Sequence, residues 1–309
     1  MEAENKTCKD KGKLISQASQ IWAVSWHSAN VEGELGKLMG QLLPVAAVVC
    51  LAATGFVLYF EGSFLVYKRQ PYINWKEQGL VNEVRDQGRC DCCWAIVACA
   101  AVEALYNIKY QCKELFQLAP QELINCVKKE AKACYRSSIN EGFRYARQYG
   151  IQQELNCPFK AQKQHCLSKE KHMPALRINN FKNIDKEDEA RIIEVLKQQP
   201  IGAGIVVTGK LKNYKEGIYE APDTRGAKPK LHAIFLVGCG TDKDTNKNYW
   251  LIQNSWGTGW GMNGYAKVIR SSSLPDGRAP ILSRLSYPEN VEYFLCIEEQ
   301  MIEYCSIRK

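Results

Sequence analysis

The sequence predicts an α+β protein with two lobes, and three observations carry that expectation. Apolar stretches bounded by helix start and stop residues crowd residues 93–199, whereas strand-like runs separated by Gly, Asn and Asp turns fill 201–269. Helices first and strands later suggest two lobes, about 71–180 and 181–309, with a cleft between them. The chain is also long enough: its 309 residues, 46% of them hydrophobic and 24% charged, can bury a substantial core.

The elements follow in chain order. Residues 1–37 form a mixed, polar tail. Leu38 to Phe60 carries no charge for 23 residues, about the length that spans a bilayer. It begins too late for an ordinary signal peptide, and Pro44 and Gly55 are tolerated in membrane spans. Lys6, Lys9, Lys11, Lys13 and Lys37 precede it and only Lys68 and Arg69 closely follow. That bias predicts a single-pass anchor with a cytoplasmic N-terminus and a lumenal globular part. A buried helix or a late, cleaved signal sequence is the competing reading. Residues 61–70 read as a linker, and the globular part begins at Pro71.

From Cys93 to Tyr110 the pattern is apolar on nearly every face through Val102, which predicts a buried central helix. A second helix starts at Pro120, a favoured first-turn position, and carries Leu123, Ile124 and Val127. Ser138-Ile139-Asn140-Glu141 reads as a capping box for a third helix that stops at Gly150. A fourth runs from Asp185 to Gln199 and ends before Pro200. Strands are expected over Ile201–Val207, Ala233–Val237, Tyr249–Ile252 and Tyr265–Ile269.

Charge and cysteine usage narrow the function. The net charge of +8 is spread over scattered Lys and Arg, with no basic run interleaved with aromatics, so nucleic-acid binding is not expected. Fourteen cysteines point to disulfides and an oxidising compartment: the endomembrane lumen, a lysosome or vacuole, or the extracellular space. Cys90, Cys92, Cys93 and Cys99 cluster, but no second Cys or His pair follows at zinc-ligand spacing, and no metal or cofactor is expected.

The densest signal is Gln87-Gly88-Arg89-Cys90-Asp91-Cys92-Cys93-Trp94-Ala95, at the start of the first helix. Cys93 there is a nucleophile candidate, because a helix N-terminus stabilises a thiolate. Gln87, six residues earlier, can donate to a developing oxyanion. A histidine can activate the thiol and an asparagine can orient the histidine. His232 lies 139 residues after Cys93, and Asn254 lies 161 residues after it. Singly, His232 reads as a core histidine and Asn254 as a turn residue.

Together these motifs resemble the papain-like cysteine proteases of the papain and cathepsin family. That family has a Cys-Gly-[Ser/Ala]-Cys-[Trp/Tyr] signature with histidine about 130–150 residues downstream. The resemblance runs from about Pro71 to Arg270. It is carried by Gln87-Gly88, Cys90 to Trp94, Leu231-His232-Ala233, and Asn254-Ser255-Trp256-Gly257-Thr258-Gly259-Trp260-Gly261 with Asn263-Gly264-Tyr265. It implies a helical left lobe, a β-barrel-like right lobe and an active-site cleft between them. It also implies a cysteine-type endopeptidase working through a Cys93 thiolate and an acyl-enzyme. His232 would be proton partner, Asn254 its orienter, and Trp256 the shield of their contact. Gln87 and the Cys93 N–H would form the oxyanion hole. Ser137, Ser138, Ile139, Gly204, Leu231, Ala233 and Trp256 would touch substrate. Disulfides Cys90–Cys134 and Cys126–Cys166 are implied, with peptide or protein substrates and cystatin-type inhibitors as partners.

The chain departs from the family in several places. Asp91 stands where glycine is usual, and a like charge beside a thiolate raises its pKa. Leu231 replaces the usual Asp or Asn before the histidine. The Gly-Gly after the second bridged cysteine is replaced around Arg136-Ser137, and Ser138-Ile139 and Gly204 give the main specificity pocket a different shape. Residues 208–231 hold no cysteine for a third bridge, so Cys296 and Cys305 pair with each other or stay free. Cys99 and Cys239 read as buried small hydrophobes. Residues 1–70 carry no prosegment pattern, and 271–309 do not align. A catalytically impaired papain-fold protein that binds or presents peptides is therefore the alternative reading.

Overall fold

The computed structural model describes residues 50–52, 55–60, 63–68, 71–111, 114–166, 176–186, 188–220, 230–273 and 281–293. The chain divides into two units, residues 1–69 and 70–309.

In the first unit three strands, β1 (Cys50–Ala52), β2 (Gly55–Phe60) and β3 (Ser63–Lys68), form an antiparallel sheet with Val57 opposite Val66 and Leu58 opposite Leu65. This corrects the expected membrane helix over the described part of 38–60. The β-branched and aromatic residues of Gly55–Phe60 and Ser63–Lys68 pair as strands, and an uncharged apolar run cannot be assigned to helix or strand by hydrophobicity alone. Among the described residues no helix is long and apolar enough to cross a membrane. Residues 1–49, with the polar tail, the basic flank and the start of that run, lie outside the described residues.

The second unit holds the site. Helix α1 spans Cys93–Tyr110, as expected, and buries residues on all its faces from Trp94 to Val102, Ala100 being half-buried. Its one buried acid, Glu103, is satisfied by the Leu118 N–H at 2.7 Å and the Asn82 amide at 2.8 Å, with Arg85 at 3.8 Å. α2 (Pro120–Cys126) begins at its proline. In α3 (Ile139–Tyr149) the Ser138 side chain accepts from the Glu141 N–H, while the Glu141 carboxylate turns to Arg144, so half of the capping box forms. Gly142 lets α3 close on α1: a Cβ there would sit 2.5 Å from the Ala98 Cβ. Disulfides Cys90–Cys134 and Cys126–Cys166 form, and Cys99 and Cys239 are buried free thiols. Closing loops of 44 and 40 residues contributes about 4 kcal/mol each in the chain-entropy account.

The fourth helix, α4 (Glu189–Leu196), is shorter than expected, because Asp188 caps it by accepting from the Arg191 N–H at 2.9 Å. Strands β6 (Ile201–Val206), β8 (Leu231–Thr241), β9 (Asn248–Gln253) and β10 (Tyr265–Ile269) fall where strand runs were read. Among the elements not read from sequence are β5 (Leu176–Ile184), β11 (Leu282–Tyr293) and the short helix α5 (Gly209–Lys212). The short strands β4 (Ile73–Asn74) and β7 (Ile218–Tyr219) complete the sheet. Its order is β5-β11-β6-β8-β9-β10-β7, with β4 on β8, antiparallel except for β10 with β7. The fold is α+β as expected. The sheet forms an open path among the described residues, not a closed barrel, since no pairing joins β5 to β7. β5 also crosses residue 180, so by its pairing the sheet lobe takes in residues assigned from sequence to the helical lobe.

Candidate active site

The first residue of α1 is Cys93, with Cys92 as an N-cap that offers no side-chain bond and no acid in the first turn. The helix N-terminus therefore presents its partial positive charge to the Cys93 sulfur unopposed by a carboxylate of its own turn. Across the cleft β8 opens at Leu231, and the Ala233 N–H points at the Cys93 Sγ at 3.5 Å. That contact brings the start of α1 against the strand bearing His232.

The imidazole is held firmly. His232 is 6% exposed, and its Nε2 lies 2.7 Å from Asn254 Oδ1. An amide oxygen only accepts, so Nε2 carries the proton and Nδ1 is left as the basic nitrogen. Asn254 follows β9, where its N–H donates to the Gly264 carbonyl at 2.9 Å. Its Oδ1 also accepts from the Ser255 N–H at 2.8 Å, and its buried Nδ2 has no partner among the described residues. An unmet buried donor costs about 1–3 kcal/mol, which is the cost of fixing this amide with its oxygen toward the imidazole. Trp256 stacks on His232 with ring centres 4.7 Å apart and is braced edge-on by Trp260.

Gln87 is buried and anchored at both ends. Its Nε2 donates to the Cys90 carbonyl at 2.7 Å and its Oε1 accepts from the Ser255 hydroxyl at 2.7 Å. One Nε2 hydrogen thus fixes the amide and the second remains for a ligand. The Ser255 bond ties this residue of the helical lobe to the segment that carries Asn254.

Burial works against charge on both reactive groups. It pushes the Cys93 thiol up, an effect opposed by the backbone N–H groups of Ala233, Trp94 and Cys93 and reinforced by Asp91. It pulls His232 down to about 4, against the Asn254 contact that favours the cation, with Lys230 lowering it further. The contribution of Asp91 is small: its half-exposed carboxylate pairs with Arg136 at 3.5 Å. Neighbouring Cys92 is buried among apolar atoms and pushed up to about 12, so it does not compete as a nucleophile.

Gln87, Cys93, Ser137, Ser138, Ile139, Gly204, Leu231, His232, Ala233 and Trp256 all line one cleft of about 1070 Å³. Asn254 sits behind the wall. Sequence reading missed Asn140, Asn183, Ile184, Arg284 and Leu285, which line the same cleft. The Asn140 amide donates to Asn183 Oδ1 at 2.9 Å, joining α3 to β5. Among the described residues no group of His, Cys, Asp and Glu could hold a metal ion.

This two-lobed fold and its cleft are matched by known proteins. Residues 69–288 match the family described as papain family cysteine protease. The chain is similar to vignain of Phaseolus vulgaris, 33% identical over 233 residues that cover 74% of this chain and 63% of vignain. It is similar to papaya proteinase 4 of Carica papaya, 33% identical over 217 residues, covering 70% and 60%. Among solved structures, the bromelain protease from Ananas comosus in complex with the E64 inhibitor aligns with a TM-score of 0.63 and 28% identity. That alignment covers 71% of this chain and 99% of the other. The chain belongs to the papain family of cysteine proteases. It spans about three-fifths of the length of these curated relatives.

Proposed function

We propose that the chain is a cysteine-type endopeptidase whose nucleophile is Cys93. The observation that carries the reading is the buried 2.7 Å His232–Asn254 contact, which leaves Nδ1 basic in the cleft that also holds Cys93. His232 Nδ1 takes the thiol proton as Sγ attacks the peptide carbonyl. The second hydrogen of Gln87 Nε2 and the Cys93 N–H bind the developing oxyanion. The imidazolium then returns its proton to the leaving amine, giving an acyl-enzyme and a free N-terminus. Water, deprotonated by His232, releases the acyl group and restores the thiol. Ser137, Ser138, Ile139, Gly204, Leu231 and Ala233 form the walls that a peptide lies against, and Trp256 keeps water from the His232–Asn254 contact.

The E64 bound to the bromelain neighbour supports peptide-like and inhibitor ligands for this cleft. Two disulfides support a lumenal, vacuolar or extracellular setting. One observation favours the alternative of an impaired, peptide-binding protein: the thiol is raised and the imidazole lowered, so the free cleft holds a neutral pair. Hydrolysis of an unfolded protein substrate decides between them. The unaltered chain should cleave it at some pH between about 4 and 8 and Cys93→Ala should not. Absence of cleavage by both would leave the peptide-binding reading.

A further inference from the structure

Five cations line the cleft: Arg89, Arg136, Lys212, Lys230 and Arg284. Asp91 is the single carboxylate among the described lining residues, and it is committed to Arg136 at 3.5 Å. The other four make no ion pair among the described residues. Elsewhere on the sheet lobe cations find acids: Lys182 with Glu289, Lys247 with Glu220, Arg191 with Glu194 and Lys267 with Asp242. Unpaired cations also occur outside the cleft among the described residues, Lys197, Lys210 and Lys215 among them. What sets the cleft apart is its lining of five cations against one carboxylate, and a cleft lined by mostly one sign of charge focuses its field.

Arg284 is placed by a break in its strand. The pairing of β11 with β6 shifts register between Ser283 and Ser286, and Arg284 sits in that bulge with φ 49°, in the left-handed region uncommon for a residue with a long side chain. Bulges re-aim side chains, and this one sets the exposed Arg284 on the cleft wall. Ser283 faces Gly204 and Gly204 faces Ala233 across three adjacent strands, and the Ala233 N–H meets the Cys93 sulfur. Arg284, next to Ser283, therefore stands two strands away from Ala233, about 10 Å at ordinary strand spacing. Arg284 starts beside Gly204: a Cβ at Gly204 would lie in ordinary contact, 3.4 Å from Ser283 and 4.0 Å from the Arg284 Cβ.

We propose that the cleft selects acidic peptides and that Arg284 is the specificity-determining residue, receiving a substrate Asp or Glu carboxylate. The placement rests on the peptidase reading above. At about 3.3 Å per extended residue, the acidic side chain lies within about two or three residues of the cleaved bond. A guanidinium suits this role because its planar fork binds a carboxylate through two parallel hydrogen bonds. Lys230 is close enough to depress His232, so it adds to the attraction at the reacting end.

The test uses fluorescent peptides with one apolar frame and Glu, Gln or Lys placed in turn at each of three positions on either side of the central bond. They are bound to the full chain carrying Cys93→Ala, so that affinity is read without turnover. At one position at least, the Glu peptide should bind about tenfold tighter than the Gln peptide and the Lys peptide weaker still, with the difference shrinking as salt rises. Adding Arg284→Ala should level Glu and Gln, and Arg284→Glu should favour Lys, with unchanged melting temperatures showing that each variant folds. Equal binding of Glu and Lys peptides at all positions would overturn the proposal, as would a Glu preference untouched by Arg284→Glu. Hydrolysis of the same peptides by the unaltered chain reports separately on the peptidase reading. Cleavage without an acid preference removes the specificity and keeps the enzyme, whereas tight Glu binding without cleavage does the reverse.

Discussion

The two walls of the cleft hold their reactive groups in different ways. On the helical side, Cys93 is half-buried and its sulfur accepts from the Ala233 N–H at 3.5 Å, an ordinary N–H···S distance, with the Trp94 and Cys93 N–H groups also acting on it. On the sheet side, His232 is locked between a 2.7 Å bond to Asn254 and the Trp256 ring, itself braced by Trp260. One wall carries the proposed nucleophile among backbone N–H groups, and the other holds the proposed base on two sides by side chains. The difference locates the rigidity. The sheet wall gets it from residues far apart in sequence that strand pairing brings together, and the helical wall fixes its loop with Cys90–Cys134 and the Gln87–Ser255 bond.

If the Gln87 amide is a working donor and not only a brace, Gln87→Ala should lower kcat by about 10²–10³ with little change in KM. Gln87→Glu keeps the acceptor to Ser255 while losing the donor, and should not restore activity. A loss in KM alone would reduce Gln87 to a brace.

The rigid wall can be tested through stability. The folded pKa of His232 is about 4, below its ordinary 6.5. Between those values the unfolded chain binds the proton and the folded one does not, so this group destabilises the fold as pH falls from about 6.5 to 4. The span amounts to about 3 kcal/mol. Urea midpoints measured across that range should fall less steeply for His232→Gln than for the unaltered chain. Parallel slopes would mean that the imidazole is not held neutral.

Asn254→Ala frees the imidazole to turn, and should cost about a hundredfold in kcat through misplacement of Nδ1. It removes an Nδ2 that has no partner among the described residues but leaves the buried His232 Nε2 and Ser255 N–H without their acceptor. It should therefore also lower stability by about 1–3 kcal/mol. A drop well beyond that would instead make Asn254 a fold residue. The smallest effect belongs to the helical wall. Asp91→Asn removes a charge that raises the Cys93 thiol, so the alkylation of Cys93 should shift to lower pH. Because Asp91 is half-exposed and paired with Arg136, kcat/KM should change by no more than about fivefold.

The same contrast explains what the sequence revealed. The helical wall was legible, since Cys93–Tyr110 is one contiguous buried helix and Pro120 and Ser138 mark their helix starts locally. His232 and Asn254 were legible through their spacing and flanking motifs. Arg284 and Leu285 were not, because the bulge separates buried Leu282 and Leu285 by three residues and destroys the period of two by which a half-buried strand is recognised. β5 escaped because Asn179, Asn180, Lys182 and Asn183 are polar and exposed, with Phe181 half-buried among them and burial concentrated at Leu176, Ile178 and Ile184. The uncharged run before Phe60 is a different case: β1 pairs with β2 inside the run and β2 with β3 in the next segment, and hydrophobicity alone announces neither pairing.

The central claim is that one thiol among many is the nucleophile because α1, Ala233 and His232 converge on it. Treating the folded chain with an epoxysuccinyl peptide and mapping the adduct by mass spectrometry tests this directly. A single adduct on Cys93, abolished by Cys93→Ala and strongly slowed by His232→Gln, is the expected result. An adduct on Cys92 or Cys157, or no adduct while Cys93 alkylates freely after unfolding, would contradict it.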